Sequence, residues 1–325
     1  MSTVLVTGGA GFIGYHLTRK LVQNNFSVII IDNLDDFYDV DLKIKRLSLL
    51  GIDGSKFGFE KRLESTIYNN RLIFIKGDIC DKNLVDSIFQ EDKITYVVHL
   101  AAKSGSRNSF QNPQLYVRNN VEGFINILQA SVNNKVDHLL FTSSSSVYGS
   151  MSLDGTVRKI EPVSLYGVTK RAAEVLAETY SKVKHLPITI ARLFSVYGPL
   201  GRPDGLIWKC IESIKKEQTI ELYNNGNMWR DFIYIDDVVE VLFRKLLTVP
   251  EYFEVFDLGT GEAHQITKVV QILEQFLKKK AKAEFVPMHF SESFFSKALN
   301  QNLSSFEFHN IEDGLKKLLK EITPI

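Results

Sequence analysis

The sequence contains few of the residues that mark disulfide-rich proteins or metalloproteins. Its 325 residues include only two cysteines, Cys80 and Cys210, which stand alone without the spacing of a disulfide framework, a metal site or a redox pair. We expect both to be buried structural residues. The seven histidines also lack ligand spacing, so we expect no metal.

Long apolar runs and an excess of charge of one sign are missing as well. No run of about 18 apolar residues is present, and the first residues lead directly into a predicted strand, so we expect neither a membrane span nor a signal peptide. A net charge of +1 argues against nucleic acid or an anionic membrane as the main partner. We therefore expect a soluble cytoplasmic protein. Its hydrophobic content of 44 % is enough for one large core and a smaller lobe.

A glycine-rich segment follows a short apolar strand at the start of the chain. Gly8, Gly11 and Gly14 have the spacing of a strand that turns sharply into a helix. The first glycine permits the bend, the second lets a pyrophosphate approach the backbone, and the third lets the helix pack closely on the strand. Free N–H groups at the helix start then face the phosphates. Phe12 and Ile13, which lie inside this turn, are predicted to contact the cofactor with the glycines.

An acidic residue ends the second apolar segment. Residues 15–23 have a helical pattern, residues 27–31 form a predicted strand, and Asp32 follows directly. An acid about 20 residues after the glycine turn suits the two ribose hydroxyls of NAD and repels the additional phosphate of NADP. The sequence therefore predicts an NAD site, with Asn33 beside Asp32.

Strand and helix patterns alternate through the first half of the chain. The further predicted strands are residues 71–76, 96–102, 137–142 and 187–193, and the further predicted helices are residues 84–90, 113–133 and 164–184. Near-continuous apolar strands between helices predict an α/β fold with a Rossmann-type, doubly wound parallel sheet covered on both faces. Ligands of such sheets bind beyond the carboxyl ends of the strands.

The pattern also predicts two domains. Residues 1–190 are predicted to form the NAD-binding domain, with a polar insertion at residues 33–70. Within the insertion, residues 42–50 predict a short amphipathic helix over the cofactor edge. Residues 191–325 are predicted to form mainly a smaller, mixed α/β substrate lobe. Segments between about 231 and 258, namely 232–235 and 253–258, are expected to return to the main sheet.

Tyr166 and Lys170 stand four residues apart in a predicted helix, so their side chains share one face. A phenol with a pKa near 10 is a poor base at neutral pH. A neighbouring ammonium and the positive nicotinamide of NAD both favour the phenolate, which would let Tyr166 act as a general base. The serine cluster at residues 143–146 supplies hydroxyls for a reacting alcohol or ketone oxygen. A Tyr-x-x-x-Lys helix alone is usually structural, but together with the glycine turn and the serine cluster it favours a catalytic role.

Taken together, these segments resemble the extended short-chain dehydrogenase/reductase family over nearly the whole chain. The residues that carry this resemblance are 7–14, 32, 99–102, 143–149 and 166–170. Within the family the chain is most similar to the nucleotide-sugar 4-epimerases, especially the UDP-glucuronate 4-epimerases. The residues that carry this narrower resemblance are 32–39, 42–43, 112–113, 162–167, 196–199, 201–204, 230–232 and 234–237.

The resemblance implies roles for individual residues. Tyr166 would be the catalytic base, Lys170 its pKa partner and a ribose contact, and Ser144 the hydroxyl that orders the sugar O4. Asp32 would hold the adenosine ribose. The further cofactor contacts that the resemblance implies are Asp78, Ile79, Leu100, Ala101 and Ala102.

On the substrate side, the resemblance implies that Ser195 and Arg202 recognise a sugar carboxylate, with Ser195 in place of the family's usual Thr. Arg107 and Arg230 would face the carboxylate or the diphosphate, because forked guanidinium donors suit paired oxygens. An exposed arginine that is only solvated remains the alternative for Arg107. Ser145 is predicted to contact the substrate beside Ser144.

Two departures bear on the reaction and on the nucleotide. Related 4,6-dehydratases and decarboxylases have an acidic residue just before the Val-Tyr-Gly turn, whereas Ser145 and Ser146 stand there in this chain, which favours redox-neutral epimerisation. Where the epimerases have a Gly-Asp pair that contacts the nucleotide, this chain has Met288 and His289, and residues 291–302 match poorly. The identity of the nucleotide and of the sugar therefore stays open.

The sequence thus predicts an isomerase of carbohydrate metabolism, with polysaccharide biosynthesis as its setting. It would epimerise a UDP-sugar at C4, UDP-glucuronate or UDP-galacturonate above all, with tightly held NAD. The resemblance implies a homodimer formed through helices 113–133 and 164–184, although an amphipathic face that is only core would look the same. Two alternatives stay open: a nucleotide-sugar reductase or dehydratase of the same fold, and a non-catalytic dinucleotide sensor. The intact set of Ser144, Tyr166 and Lys170 argues against the sensor.

Overall fold

The computed structural model describes residues 2–149, 151, 159–299 and 303–322 of the chain. The sequence-based statement about residues 291–302 therefore lies outside the described residues at positions 300–302. In the described part, the strands are β1 (Thr3–Thr7), β2 (Ser27–Asp32), β3 (Arg62–Ser65), β4 (Asn69–Lys76), β5 (Ile94–His99), β6 (His138–Ser144), β7 (Ile188–Leu193), β8 (Ser195–Tyr197), β9 (Thr219–Tyr223), β10 (Trp229–Tyr234), β11 (Phe253–Leu258), β12 (Ala263–Gln265), β13 (Lys282–Val286) and β14 (Phe295–Ser296).

The helices follow the apolar periodicity of the sequence. They are α1 (Phe12–Gln23), α2 (Val40–Leu49), α3 (Lys82–Glu91), α4 (Pro113–Val117), α5 (Gly123–Asn133), α6 (Leu165–Lys184), α7 (Leu206–Lys216), α8 (Ile235–Leu247), α9 (Ile266–Leu277) and α10 (Ile311–Ile322). In α3, for example, Leu84, Val85, Ile88 and Phe89 are buried, which is the spacing of one helix face. Asp81 caps this helix by accepting from the N–H groups of the first turn.

The main sheet has eight strands in the order β11-β7-β6-β5-β1-β2-β4-β3. The pairs β1·β2, β1·β5, β2·β4 and β5·β6 are parallel. In β2, residues 28–32 are all buried, and since successive side chains point to opposite faces, both faces of the sheet are covered. The predicted doubly wound parallel sheet is confirmed. Strand β3 departs from it, because this edge strand pairs antiparallel with β4.

Aromatic side chains fill the centre of the main core. Phe124 of α5 stacks on Phe141 of β6 with ring centroids 4.5 Å apart, and His99 at the end of β5 stacks on Phe124 at 4.7 Å. Burial lowers the pKa of His99 well below its usual value, and the positive charge of Lys170 acts in the same direction. His99 is therefore a neutral ring at physiological pH and part of the core.

A π-helical turn, Arg118–Glu122, joins α4 to α5, so the predicted helix 113–133 is continuous but not uniformly α-helical. Asn120 lies inside this turn and is buried. Its side-chain amide donates to the carbonyl of Lys103 at 2.9 Å and to the hydroxyl of Thr169 at 2.9 Å. It also accepts from the Lys103 N–H at 2.7 Å. The wide turn thus places one amide where it links the loop after β5 to α6.

Two expectations about strands are wrong in part. The strand predicted at residues 96–102 ends at His99, because the N–H groups of Leu100 and Ala101 bond to the carbonyl and hydroxyl of Thr7 and bend the chain out of the sheet. Residues 253–258 join the main sheet as β11, as expected, but residues 232–235 do not. They belong to β10 and the start of α8, and β10 pairs with β8, β12 and β14 in a separate sheet.

The chain packs into two compact units. Unit 1 comprises Met1–Ser143, Thr169–Ala191 and Val239–Val255, and unit 2 comprises Ser144–Val168, Arg192–Val238 and Phe256–Ile325. The chain thus passes between units at residues 143, 168, 191, 238 and 255, so the segment 144–168 lies in unit 2 although it precedes residue 190. Assignment of the cofactor to unit 1 and of the substrate to unit 2 stays a prediction.

Unit 2 is built around the small sheet centred on β10. The β10 residues Phe232, Ile233 and Tyr234 pair in parallel with β8, while Trp229 and Arg230 pair in parallel with β14. Strands β9 and β13 form a separate parallel pair. Within the described residues, none of the helices combines the length and apolar character needed to cross a lipid bilayer.

Candidate active site

The glycine turn between β1 and α1 depends on close backbone packing. Gly8 has a φ of 72°, and a Cβ atom there would lie 2.8 Å from the backbone nitrogen of Ala101. A Cβ atom on Gly14 would lie 2.3 Å from the carbonyl oxygen of Gly8. The N–H of Gly11 closes the turn on that same oxygen at 3.0 Å. Side chains at Gly8 and Gly14 would therefore force the turn open.

The start of α1 lies directly behind this turn. Gly11 is the N-cap residue and offers no side-chain acceptor, so the first N–H groups of the helix stay available to an anionic ligand. Phe12 is buried and anchors the helix start, whereas Ile13 is half-buried. The positions predicted from the glycine spacing thus form the turn between β1 and α1 and the start of α1.

Asp32 ends β2 with its carboxylate fixed by two backbone N–H groups. Oδ2 accepts from Ala10 in the glycine turn at 3.1 Å, and Oδ1 accepts from Leu34 at 2.9 Å. The residue is only 8 % exposed. Asn33 shapes the following loop by accepting from the N–H of Asp35 at 3.0 Å. The carboxylate therefore stands beside the glycine turn in a fixed orientation.

Helix α2, in the predicted insertion, adds two buried cations that the motifs did not predict. The Nζ of Lys43 lies 3.8 Å from Oδ1 of Asp32. The Arg46 guanidinium donates to the carbonyl of Ala10 at 3.1 Å and to the Tyr38 hydroxyl at 2.6 Å. Lys43 and Arg46 are three residues apart and thus on one helix face, and Lys43 also belongs to the resemblance at residues 42–43.

The loop after β5 is tied down at several points. Its predicted cofactor contacts Leu100, Ala101 and Ala102 are half-buried, and Ala101 lies against Gly8. Lys103 is buried and forms an ion pair with Asp35, which links this loop to the one after β2. Arg107, further along, is exposed at the start of a short 3₁₀ turn.

Asp78 and Ile79 follow β4 at the same edge of the sheet. Asp78 is half-buried and accepts from the N–H of Cys80 at 2.9 Å, while Ile79 is buried and its carbonyl accepts from Asn126 at 3.0 Å. Cys80 is only half-buried, so the expectation that both cysteines are buried is wrong for it. Burial nevertheless raises the pKa of its thiol to about 12, so it is not a thiolate at neutral pH.

Lys170 lies on α6 within unit 1 and is held from the sheet side. Its Nζ donates to the carbonyl of Thr142 at 2.8 Å and lies 4.6 Å from the centre of the Phe141 ring. Burial lowers the pKa of Lys170 to about 7, although the negative charge of Glu174 acts in the opposite direction. At neutral pH the side chain is therefore divided between ammonium and amine.

These residues of unit 1 fit a dinucleotide. A turn whose glycines leave no room for a Cβ atom and a helix start with available N–H groups suit a pyrophosphate. A fixed carboxylate that can accept from hydroxyl groups suits a ribose. The donors and acceptors of unit 1 can thus hold NAD.

In unit 2, Ser144 and Tyr166 are brought together. Ser144 caps a short 3₁₀ turn by accepting from the N–H of Ser146 at 3.1 Å, and its hydroxyl is hydrogen-bonded to the phenol of Tyr166. Gly167 allows this contact, because a Cβ there would lie 2.4 Å from the Ser146 carbonyl oxygen. Ser145, in the same turn, is half-buried. The start of α6 can therefore approach the serine turn closely.

The Tyr166 phenol is influenced by burial and by two groups of unit 2. Burial raises the pKa of Tyr166, while the Ser144 hydroxyl and the positive charge of Arg202 act to lower it. The effect of Lys170 on Tyr166 that the sequence predicts stays a prediction. For Arg202 the sequence predicted only a role toward the sugar carboxylate, so its influence on the phenol is an addition.

A buried network fixes the far end of the serine turn. The Tyr148 hydroxyl donates to Oδ1 of Asp257 at 2.7 Å and accepts from the Arg192 guanidinium at 2.7 Å. Oδ2 of Asp257 accepts from the N–H of Leu299 at 3.1 Å. Arg192 and Asp257, from other parts of unit 2, thus hold Tyr148 at the end of the turn with Ser144.

Ser195 and Arg202 lie on either side of the Val-Tyr-Gly-Pro segment. Ser195 is half-buried at the start of β8, opposite Phe232 of β10. Arg202 donates to both carboxylate oxygens of Asp204 from Nε and Nη2, with 2.9 Å between its Nε and Oδ1. Although burial acts to raise the pKa of Asp204, the hydrogen bonds and charge of Arg202 lower it overall. This pair keeps the guanidinium partly exposed beside a carboxylate.

Arg230 is held by the segment that the motifs failed to match. Its guanidinium donates to Glu292 at 3.1 Å and to the carbonyl of Trp229 at 2.9 Å. Met288 is partly exposed, and His289 contacts Ser291 at 2.7 Å and stacks on Phe290. Glu292 is thus a site residue that sequence reasoning missed, since an isolated acid in an unmatched segment gives no signal.

The chain is similar to known proteins that form one family. The NAD dependent epimerase/dehydratase family matches residues 4–259, which include the glycine turn, the serine turn and the start of α6. The UDP-glucuronate 4-epimerase of Thermodesulfobacterium geofontis is 36 % identical over 326 residues, covering 98 % of this chain and 95 % of that protein. The UDP-glucuronate 4-epimerase 5 of Arabidopsis thaliana is 35 % identical over 342 residues, covering 98 % of this chain and 74 % of that protein.

A solved structure agrees over the whole length. The UDP-glucuronic acid 4-epimerase of Bacillus cereus, in complex with UDP-glucuronic acid and NAD, is similar with a TM-score of 0.84 and 31 % sequence identity. The match covers 97 % of each chain.

Proposed function

This chain belongs to the NAD dependent epimerase/dehydratase family, and on that premise we propose that it is an NAD-dependent 4-epimerase that interconverts UDP-glucuronate and UDP-galacturonate. The match to UDP-glucuronate 4-epimerases over almost their full length supports the substrate. The observation that carries the proposal is the hydrogen bond between Ser144 and Tyr166 at the end of a strand of the dinucleotide-binding sheet.

Tyr166 and Ser144 handle the proton of the sugar O4. Tyr166 takes this proton as the C4–H bond breaks, and Ser144 holds the oxygen with its hydroxyl. The glycine turn and Asp32 would hold NAD, whose nicotinamide would supply the acceptor for the C4 hydride and the source from which it returns to the opposite face of the sugar. Between these events the substrate is a 4-keto sugar, whose rotation about its link to the diphosphate presents the other face. Tyr166 then gives the proton back to O4.

Lys170 has a positioning role beside the cofactor. Its ammonium form can donate to a ribose hydroxyl while the Thr142 carbonyl fixes its orientation. We assign the remaining residues of the glycine turn, Asp32, Asp78 and the loop after β5 to cofactor binding. Unit 1 is on this view the cofactor domain and unit 2 the substrate domain.

Arg202 and Ser195 are proposed to recognise the sugar carboxylate. A guanidinium offers two parallel donors to a carboxylate, and the substrate would compete with Asp204 for them. Arg230, oriented by Glu292, and Arg107 are proposed to bind the diphosphate. Because Ser145 and Ser146 offer no acid for an elimination, the substrate returns as an epimer rather than as a dehydrated sugar.

We further propose a homodimer formed by α4, α5 and α6. Leu115 and Val117 on α4, and Val168 and Val175 on α6, are each more than a third exposed. Light scattering of the purified protein tests this, and Val175→Lys is expected to shift a dimer toward monomer. A cytoplasmic location also stays a prediction, which cell fractionation tests.

The decisive experiment incubates pure protein with UDP-glucuronate and no added cofactor, followed by anion-exchange chromatography. Formation of UDP-galacturonate is expected, because the cofactor is regenerated in every turnover and remains bound. UDP-glucose and UDP-N-acetylglucosamine serve as controls for the role of the carboxylate. Conversion of a neutral sugar alone would contradict the roles of Ser195 and Arg202. Consumption of added NADH, or a keto product that accumulates, would contradict epimerisation.

A further inference from the structure

Helix α2 brings two cations to the glycine turn, and both are almost fully buried. Lys43 is 7 % exposed and Arg46 is 0 % exposed. Burial of a charge is unfavourable unless the charge has partners, so these positions need an explanation. Tyr38 gives part of it, because both cations lie 5.4 Å from the centre of its ring.

The two cations differ in what they contact. Arg46 bonds directly to the carbonyl of Ala10 and to the Tyr38 hydroxyl, which ties α2 to the glycine turn. Lys43 instead faces Asp32 at 3.8 Å, close enough for attraction but too far for a direct hydrogen bond. Arg46 is therefore a structural cation, whereas Lys43 stands at the edge of the ribose-binding carboxylate.

The separation of Lys43 and Asp32 suits a hydroxyl group. Each carboxylate oxygen of Asp32 already accepts one backbone N–H and keeps a second lone pair. A hydroxyl can donate to such an oxygen and at the same time accept from an ammonium. A ribose hydroxyl placed beside the pair would thus satisfy Asp32 and Lys43 together.

We propose that Lys43 is a cofactor-binding residue that donates to the adenosine ribose hydroxyl held by Asp32, and that this ion pair sets the choice between NAD and NADP. The inference rests on the cofactor of the proposed function. Asp32 repels a phosphate on the ribose, while Lys43 attracts it. Loss of Asp32 alone should therefore convert the site into one that accepts NADP, and the conversion should require Lys43.

The test measures nucleotide binding rather than activity. Full-length protein, freed of nucleotide with charcoal, is titrated with NAD and with NADP by calorimetry. The variants are Asp32→Ser, Lys43→Met and the combination of both, with Lys45→Met as the matched control. Lys45 lies on the same helix but is exposed.

For NAD, Lys43→Met is expected to weaken binding roughly tenfold or more, the scale of one charge-assisted hydrogen bond, and Lys45→Met is expected to leave it unchanged. For NADP, Asp32→Ser is expected to bind at least about tenfold more tightly than the wild type. The double variant is expected to lose that gain.

Equal NADP affinity of Asp32→Ser and the double variant would overturn the inference, and so would unchanged NAD affinity in Lys43→Met. Lys43→Arg keeps the positive charge and is the control for misfolding. Combined with Asp32→Ser, it should keep the gain in NADP affinity. Loss of that gain in this combination would also contradict the inference. Failure of the wild type to bind either nucleotide would instead overturn the cofactor of the proposed function, and the role of Lys43 with it.

Discussion

The two units hold their candidate ligand groups in different ways. In unit 1 the glycine turn, the start of α1 and the Asp32 carboxylate are fixed by backbone atoms, as when the Gly11 N–H bonds to Gly8 and the Ala10 N–H to Asp32. In unit 2 the corresponding groups are fixed by other side chains. Arg202 is held by Asp204 and Arg230 by Glu292.

This difference has a physical consequence. A ligand group fixed by the backbone tolerates no added volume, because the neighbouring atoms cannot move without opening the turn. A ligand group fixed by an ion pair tolerates volume but not loss of charge, since the partner would be left unpaired. Unit 1 should therefore respond to shape and unit 2 to chemistry.

Addition of one methyl group in unit 1 should have the most complete effect. Gly14→Ala places a Cβ atom 2.3 Å from the Gly8 carbonyl oxygen, so the turn must open and both bound NAD and epimerase activity should be lost. Extraction of nucleotide from the purified variant measures this. Gly58→Ala is the control, because its Cβ would meet only the Lys61 side chain at ordinary distance. Normal NAD content in Gly14→Ala would contradict the statement that the ligand groups of unit 1 tolerate no added volume.

Removal of one oxygen in unit 2 should cost activity without loss of cofactor. Tyr166→Phe removes the proton acceptor, and kcat should fall by roughly 10²–10⁴-fold, the usual scale for a positioned acid–base group. Steady-state kinetics and NAD content are measured together. Tyr180→Phe, on the same helix and packed against the core of unit 1, should keep normal turnover. Near-normal turnover of Tyr166→Phe would refute the assignment of the base.

Loss of the Arg202 charge should have a smaller effect that depends on the substrate. Arg202→Gln should lower kcat/KM for UDP-glucuronate roughly 10–100-fold, the scale of a charged hydrogen bond. It should also move the rise of activity with pH to higher pH, because Arg202 lowers the pKa of Tyr166 and the base must lose its proton to act. Arg244→Gln, an exposed charge change on α8, should change neither. An unshifted pH profile would show that Arg202 does not influence the base.

The smallest expected effect tests a charge in unit 1. Burial places the pKa of Lys170 at about 7 in the folded protein, against 10.5 for the free side chain. Between these values the unfolded chain binds more protons, so the Lys170 contribution to stability rises with pH. Relative to Lys170→Met, the wild type should therefore gain a few degrees in Tm between pH 7 and pH 9. Lys184→Met, at the exposed end of α6, should show no such pH-dependent difference.

The same comparison explains what the sequence could predict. The glycine turn, Asp32 and the helix with Tyr166 and Lys170 are local patterns, because their geometry depends on residues a few positions apart. Two of the ion pairs are not local: Lys103 and Asp35 are 68 residues apart, and Arg230 and Glu292 are 62 apart. No spacing rule connects such distant partners, so these two supports of the site could not be predicted.

Assignment of strands to sheets failed for a related reason. Residues 232–235 are buried and apolar, but these properties do not say which strand lies beside them. The neighbours of β10 are β8, β12 and β14, and two of these strands come later in the chain. At Leu100 and Ala101 the strand itself was predicted wrongly. These apolar residues continue the pattern of β5 but form a loop held by Thr7.

The π turn between α4 and α5 makes the number of residues in this region more important than their identity. Removal of one residue from Arg118–Glu122 would convert it to ordinary helix and rotate everything before it by about 100°. Leu115 and Val117 would then face another direction, and Asn120 would leave Lys103 and Thr169. Related chains that keep this surface should thus align here without a gap, even where their residues differ.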